Sequence, residues 1–319
     1  MTRFLYLFLL AFAFLAQPGI LTADDNSKEL RQQRHEAQKE RQQQKNERAR
    51  EVNDSTRAFR DYTRDLKTNY REQAKDLDTE FELRSVELKA DHKARVAGAE
   101  AEYQKKLSGL FMNPGAEFTN QTVQQMQAEA KDFADALFKL KKQSAEELHG
   151  EQIANQERKN ALLSERDQMA LDEAASLGLT AKYSPILATP IGDGLTRQEE
   201  QWNDREKKEV EKLEKQNKKT LSEFRNGGKL RKWEIENLNE DFKLTWDEKA
   251  RLHALESERI FYNTLFMQAA QGEQIDRQKV MAQMAELNEK TKLINIEYRK
   301  IRDKNRITRR EEKKAILAN

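Results

Sequence analysis

The feature that most constrains this chain is an apolar pattern that repeats every eleven residues. Three consecutive rows from residue 59 to 91 read FRDYTRDLKTN, YREQAKDLDTE and FELRSVELKAD. Each row begins with an aromatic ring and carries a leucine seven places later. Eleven residues make almost three α-helical turns, so the repeat keeps one apolar stripe on one side of a long helix. We therefore predict a long helix over residues 51–112.

The same spacing returns in the second half of the chain, where it predicts another long helix over residues 196–271. Within that helix the pair Gly227–Gly228 is a place where a kink can form, because paired glycines weaken a helix. After residue 272 the apolar residues follow the 3–4 spacing of heptads. The predicted packing seam comprises Phe59, Leu66, Tyr70, Leu77, Phe81, Leu88, Tyr103, Trp202, Leu213, Phe224, Ile235, Trp246, Leu287, Ile294, Tyr298 and Ile301.

Composition argues against a thick globular core. Charged residues make up 36% of the chain, hydrophobic residues 37%, and there are only four prolines and eleven glycines to form turns. The small net charge of +2 and the regular apolar spacing argue against disorder. We predict an all-α fold of long helices in coiled-coil-like hairpins, a non-globular rod whose helices pair within the chain or with another chain.

Breaks in the apolar pattern divide the chain into segments. Asn113-Pro114-Gly115 predicts a turn, and residues 177–195, with two prolines and three glycines, predict a hinge. The apolar centre of that hinge, residues 185–191, is either a docking patch or a linker tucked against helix ends. The predicted segments are a signal peptide at 1–23, a polar arm (a frayed helix or disordered) at 24–50, helices at 51–112, 116–176 and 196–271, the hinge at 177–195 and a basic helix at 273–319.

The first residues have the pattern of a secretory signal peptide. Arg3 precedes an apolar run from Phe4 to Ala16, and the small residue Ala23 marks the expected cleavage site. The run of about thirteen residues is shorter than the roughly twenty needed to span a bilayer. We therefore expect an exported protein, periplasmic or extracellular. Without cysteine it has neither disulfides nor an acylated-cysteine anchor.

No catalytic or cofactor motif stands out, so we expect no enzyme activity, no cofactor, no metal and no small-molecule substrate. The chain lacks the glycine-rich phosphate loops and the zinc-protease and serine-hydrolase motifs. Its four histidines stand far apart in sequence. His253 and Glu256 lie three apart on one helix face, which offers two metal ligands, but an ordinary surface polar pair is the expected interpretation.

The charge distribution points to protein or surface partners. Residues 117–182 hold twelve acidic and eight basic side chains, whereas residues 288–319 hold eleven basic and five acidic ones. Segments of opposite sign can pair between neighbouring molecules, so we expect self-association or binding to another helical envelope protein. The basic end also suits an acidic partner or an anionic envelope surface. Export makes nucleic acid an unlikely partner.

These features predict an exported, non-catalytic structural or scaffolding coiled-coil protein, acting as a rod, tether or assembly subunit. The alternative is a periplasmic holdase chaperone with helical tentacles. In outline the chain is similar to the Skp family of such chaperones, which are also cysteine-free, basic and exported. That resemblance implies trimerisation through a small β-domain, for which this sequence has no alternating strand pattern.

Overall fold

The computed structural model is all-α, which confirms the predicted fold class of long helices. It describes residues 23–111, 119–270 and 276–318, and these contain no β-strand. The four helices of this part of the chain are α1 (Ala23–Phe111), α2 (Asn120–Ser176), α3 (Arg197–Ala270) and α4 (Arg277–Ala318). The predicted signal peptide (apart from Ala23), the turn at residues 113–115 and the break near residue 272 lie outside the described residues.

Polar side chains cap the N-termini of α2, α3 and α4. The Thr119 hydroxyl accepts a hydrogen bond from the Thr122 amide, and Asp276 accepts two from the amides of Gln278 and Lys279. Thr196 and Glu199 form a reciprocal capping box, in which the side chain of each residue accepts a hydrogen bond from the backbone amide of the other. Because these caps satisfy otherwise unpaired amides, they define where each helix begins.

Two compact units make up the chain. In its described part, unit 1 comprises residues 23–58 and 177–218, and unit 2 comprises residues 59–176 and 219–318. Both α1 and α3 contribute to each unit.

In unit 2, α1 and α2 run antiparallel. Lys106 pairs with Glu129 at 3.1 Å, while Lys159, thirty residues further along α2, pairs with Asp78 at 2.9 Å. Residues with lower numbers in α1 therefore contact residues with higher numbers in α2. The two helices therefore form a hairpin.

The other helix pairs of unit 2 follow from similar contacts. Asp135 and His149 of α2 contact His253 and Asn239 of α3, so α2 and α3 are antiparallel. Glu297 and Arg309 of α4 pair with Arg251 and Asp241 of α3, which makes α3 and α4 antiparallel as well. One core cluster joins three helices: Met126, Ala130, Phe261, Leu265 and Val280.

Unit 1 holds two helix segments and the chain between α2 and α3. Its part of α1 includes the segment predicted as a frayed or disordered arm, so the helix predicted to begin at residue 51 begins at Ala23. Polar residues of this segment are good helix formers, and Arg34 and Lys45 pair with Glu199 and Glu206 of α3 at 3.0 and 2.7 Å. These pairs supply tertiary contacts that the apolar pattern does not reveal.

The segment predicted as a hinge, residues 177–195, is held by side chains that bind its backbone. Arg34 donates to the carbonyls of Ile191 and Gly194 at 2.7 and 3.1 Å. Asn203 accepts from the Ala188 amide at 2.8 Å. Gly192 has a φ of 69°, and a side chain there would meet Leu30 at 3.0 Å. The segment thus packs along both helices of unit 1.

Candidate functional site

Most residues of the predicted seam are buried or half-buried. The buried ones are Phe59, Leu66, Tyr70, Tyr103, Phe224, Trp246, Leu287 and Tyr298. The half-buried ones are Leu77, Phe81, Leu88, Trp202, Leu213, Ile235 and Ile294. Ile301, with an exposed fraction of 36%, is the exposed member of the predicted seam.

The aromatic column of α1 faces both α2 and α3 in unit 2. Phe59 meets Phe224 of α3 edge-to-face, with ring centroids 6.1 Å apart. Tyr103 stacks on Phe133 of α2 at 4.2 Å, and its hydroxyl lies 3.3 Å from that of Thr264 on α3. Burial raises the pKa of Tyr103 above its usual value. The column therefore serves a three-helix contact.

Two rings of α2 stack on two rings of α3. His149 lies flat against Phe242 at 4.0 Å, and Phe138 lies flat against His253 at 4.3 Å. In each helix the phenylalanine precedes the histidine by eleven residues. Because the helices are antiparallel, each histidine stacks on the phenylalanine of the other helix. The imidazole Nε2 atoms contact Asn239 and Asp135, both at 2.8 Å. These histidines are thus used in helix packing.

A buried ion pair of unit 2 joins α2 to α3. Asp167, which is buried, accepts a hydrogen bond of 2.7 Å from Arg231. Arg166 donates to the other carboxylate oxygen at 2.5 Å. Gly227 lies against this carboxylate, and a β-carbon added there would come within 2.4 Å of Asp167 Oδ2. Here α3 continues through Gly227–Gly228, and the first glycine makes room for the ion pair.

The buried polar centre of unit 1 is Glu206, whose exposed fraction is 2%. Lys45 and Arg48 of α1 both pair with its carboxylate, and the Ile186 amide donates to it at 3.3 Å. Burial by itself raises the pKa of Glu206, but the hydrogen bonds from Lys45 and Arg48 outweigh it and hold the pKa below its usual value. The centre therefore requires an ionised carboxylate.

The contact between α3 and α4 combines one buried tyrosine with ion pairs. The Tyr298 hydroxyl donates to Asp247 at 2.5 Å, and this bond, together with burial, raises the pKa of Tyr298. Arg302 pairs with Glu248, and Arg309 pairs with Asp241 at 2.8 Å. Part of the basic charge of α4 is therefore neutralised by α3. The sequence signal for this pairing is the group of acidic residues at 234–248, and the charge pairing predicted above did not include it.

A cavity of about 550 Å³ lies beside these pairs. Trp233 lines it, and so do Arg302, Arg306, Arg309, Arg310 and Lys313. The Trp233 indole donates to Glu312 at 2.8 Å, and the Lys313 ammonium lies 6.0 Å from the Trp233 ring centroid. Arg302, Arg309 and Lys313 pair with acidic residues of α3, and Arg306 pairs with Asp303 of α4. Arg310 is therefore the one lining cation without an ion pair among the described residues, and most of the charge of the cavity is neutralised.

Two outer helix faces of unit 2 carry large apolar side chains that are exposed. On α1 these are Leu83 and Val86, and on α4 they are Leu293, Ile296 and Ile307, with exposed fractions of 51–66%. Our seam prediction included none of them, because they lie opposite the eleven-residue columns on α1 and between the heptad positions on α4. Exposed apolar groups at regular helical spacing are typical of a binding surface. We take these two faces as the candidate interaction site.

Within the described residues, no three potential metal ligands come together, and Glu256 is not among the partners of His253. None of the helices in this part of the chain is long and apolar enough to cross a membrane. The chain matches no protein-family model, no curated protein and no solved structure.

Proposed function

We propose that this chain is an exported, non-catalytic structural or scaffolding protein of the cell envelope or extracellular space, acting as a tether or assembly subunit. The observation that supports it best is the pair of exposed faces on α1 and α4, where apolar side chains stand among charged ones. A subunit that binds its neighbours needs such surfaces outside its own core. The signal-peptide pattern of residues 1–23 supports export.

Sedimentation velocity of the chain from Asp24 onward tests this proposal. We expect association that strengthens with protein concentration and weakens as salt rises from about 0.05 M to about 0.5 M, because exposed charges are screened. A species that remains monomeric at every concentration and salt would contradict assembly. Small-angle scattering on the same samples reports the dimensions of each species.

The same exposed side chains, Leu83, Val86, Leu293, Ile296 and Ile307, also favour a second candidate function, a holdase chaperone. A holdase suppresses aggregation of an unfolded outer-membrane protein at a near-stoichiometric ratio, whereas a structural subunit does not. Light scattering during dilution of such a client from urea distinguishes the two functions. Suppression by this chain would favour the holdase.

A further inference from the structure

The outer face of α4 combines apolar and basic side chains in a single stripe. Residues spaced three and four apart lie on one side of a helix. The stripe comprises Leu293, Ile296, Lys300, Lys304 and Ile307, all exposed. Leu287 and Tyr298 are buried on the opposite side, against α3. The stripe therefore points away from the contact that α4 makes in its own chain.

The two lysines of this stripe differ in their pairing from the arginines of α4 that face α3. Arg302 and Arg309 pair with acidic residues of α3. Lys300 and Lys304 make no ion pair with any described residue. Their charges are thus available to a partner that brings carboxylates or other anions next to an apolar surface.

The outer face of α1 has the opposite charge and the same spacing. Its stripe comprises Glu72, Asp76, Leu83 and Val86, all exposed, and it lies opposite the buried Ser85. Neither Glu72 nor Asp76 makes an ion pair within the described part of the chain. Both stripes belong to unit 2. Both stripes are thus left uncovered by the described residues of the chain.

The order of residues in the two stripes selects an antiparallel arrangement. In α1 the acidic residues precede Leu83 and Val86, whereas in α4 the basic residues follow Leu293 and Ile296. With Leu83 opposite Ile296 and the helices antiparallel, Asp76 falls opposite Asp303 and between Lys300 and Lys304, while Glu72 falls opposite Ile307, three residues beyond Lys304. Asp303 is itself paired with Arg306 at 3.2 Å, so the two lysines are the unpaired charges nearest to Asp76.

A parallel arrangement with Leu83 opposite Leu293 would instead place Asp76 opposite Glu286. That register also brings Asp76 close to Glu289, and the nearby Lys290 and Lys292 already pair with Glu286 and Glu289. Because only the antiparallel register places unpaired lysines beside Asp76, it is the complementary one.

We propose that the outer face of α4 in one copy of this chain docks antiparallel on the outer face of α1 in a second copy. Leu83 and Val86 pack on Leu293 and Ile296, while Glu72 and Asp76 pair with Lys300 and Lys304. The inference rests on the proposed function and names the surfaces through which the subunits assemble. Because the two faces differ, one such contact leaves an α1 face free on one copy and an α4 face free on the other. A second contact between the same two copies closes a dimer, and a contact with another copy extends the assembly.

Two charge-reversed double variants test this contact in the chain from Asp24 onward. One is Lys300→Glu with Lys304→Glu, and the other is Glu72→Lys with Asp76→Lys. We expect each variant alone to associate at least 10-fold more weakly than the wild type by sedimentation velocity. An equimolar mixture of the two should recover association, because every α1–α4 contact between unlike variants again joins opposite charges. Circular dichroism verifies that each variant is folded.

The control is Lys229→Glu with Lys232→Glu, which makes the same change of charge at exposed positions of α3 in unit 2. We expect this control to associate as the wild type does. If both test variants also associate like the wild type, the docking contact is refuted while assembly, and with it the proposed function, stands. If the wild type is itself monomeric, assembly and the contact fail together.

Anionic lipid is the competing occupant of the α4 stripe. Flotation with phosphatidylglycerol vesicles tests it with the same proteins. Vesicle binding that is lost in Lys300→Glu with Lys304→Glu, combined with unchanged self-association of Glu72→Lys with Asp76→Lys, would assign the stripe to a membrane surface and overturn docking. Recovery of association in the mixed variants supports docking on a second copy.

Discussion

At the scale of single residues, Gly227 shows how one position depends on a distant side chain. In sequence it is one of two adjacent glycines that weaken a helix. In the structure it leaves room for the Asp167 carboxylate, which Arg166 and Arg231 hold in place. Its neighbour Gly228 has nothing closer than 3.8 Å to an added β-carbon. Two glycines with the same local context therefore have different roles.

This difference predicts opposite effects of two alanine substitutions. Gly228→Ala should raise the free energy of unfolding by about 0.5–1 kcal/mol, because alanine loses less conformational entropy in a helix. Gly227→Ala should lower it by roughly 1–3 kcal/mol, because the methyl group displaces a buried, ion-paired carboxylate. Urea unfolding monitored by circular dichroism measures both. Equal stabilisation by the two alanines would show that Asp167 moves aside at little cost.

At the scale of the helices, the eleven-residue spacing of α1 coincides with contacts to two other helices. Phe59 contacts α3, Tyr70 contacts Met169 of α2 through its hydroxyl, and Tyr103 contacts both helices. One stripe that returns to the same side of α1 can thus lie along the groove between two neighbours. The predicted seam is therefore a packing surface within this chain over much of unit 2.

Loss of apolar character in this column should unfold unit 2 locally. Tyr70→Asp with Phe81→Asp places one charge in a buried and one in a half-buried position, at an expected cost of roughly 3–5 kcal/mol in the free energy of unfolding. Thermal unfolding by circular dichroism should show a large fall in the melting temperature. The ring-exchange control, Tyr70→Phe with Phe81→Tyr, keeps the apolar surface and should change stability by less than about 1 kcal/mol. An unaltered melting temperature in the aspartate variant would refute the packing role.

At the scale of the whole molecule, the interior of each unit is stabilised by a different kind of interaction. Unit 2 contains the apolar cluster and the aromatic layers, whereas the centre of unit 1 is the ion cluster of Glu206, Lys45 and Arg48. A packing centre that depends on an ionised carboxylate also depends on pH.

Because the fold lowers the pKa of Glu206, its ionisation stabilises unit 1 above the ordinary glutamate pKa of about 4.3. That stabilisation is lost as the pH falls through the lower pKa of the folded state.

We therefore expect the protection of unit 1 amides against exchange, measured relative to the intrinsic exchange rate at each pH, to fall on acidification below about pH 4.3. Glu206→Gln should cost about 2–3 kcal/mol at neutral pH, because Lys45 and Arg48 lose their buried partner, and it should reduce the acid-dependent change. Hydrogen exchange with mass spectrometry measures this in the peptides of residues 30–58 and 177–218.

The matched control is Glu209→Gln on the same helix. Glu209 also pairs with Lys45, at 3.3 Å, but its side chain is exposed. An exposed pair contributes little, so this variant should change stability by less than about 0.5 kcal/mol and keep the acid response of the wild type. Equal effects of the two substitutions would contradict a special role for the buried carboxylate.

By itself, the sequence determined that the chain is helical and which side of several helices is apolar, because both depend on spacings within a few turns. The burial of Tyr103 and Tyr298 follows from such spacing. Their contact partners, Phe133, Thr264 and Asp247, could not be predicted from this spacing. Each partner lies more than 25 residues away, and many registers between two helices would bury the same apolar stripe. Tertiary structure alone decided that Glu206 is buried, that the segment 177–196 packs along two helices, and that α3 neutralises part of the basic charge of α4. These outcomes depend on which surfaces the folded chain brings together. The spacing of apolar residues within one helix does not specify which other helix it packs against.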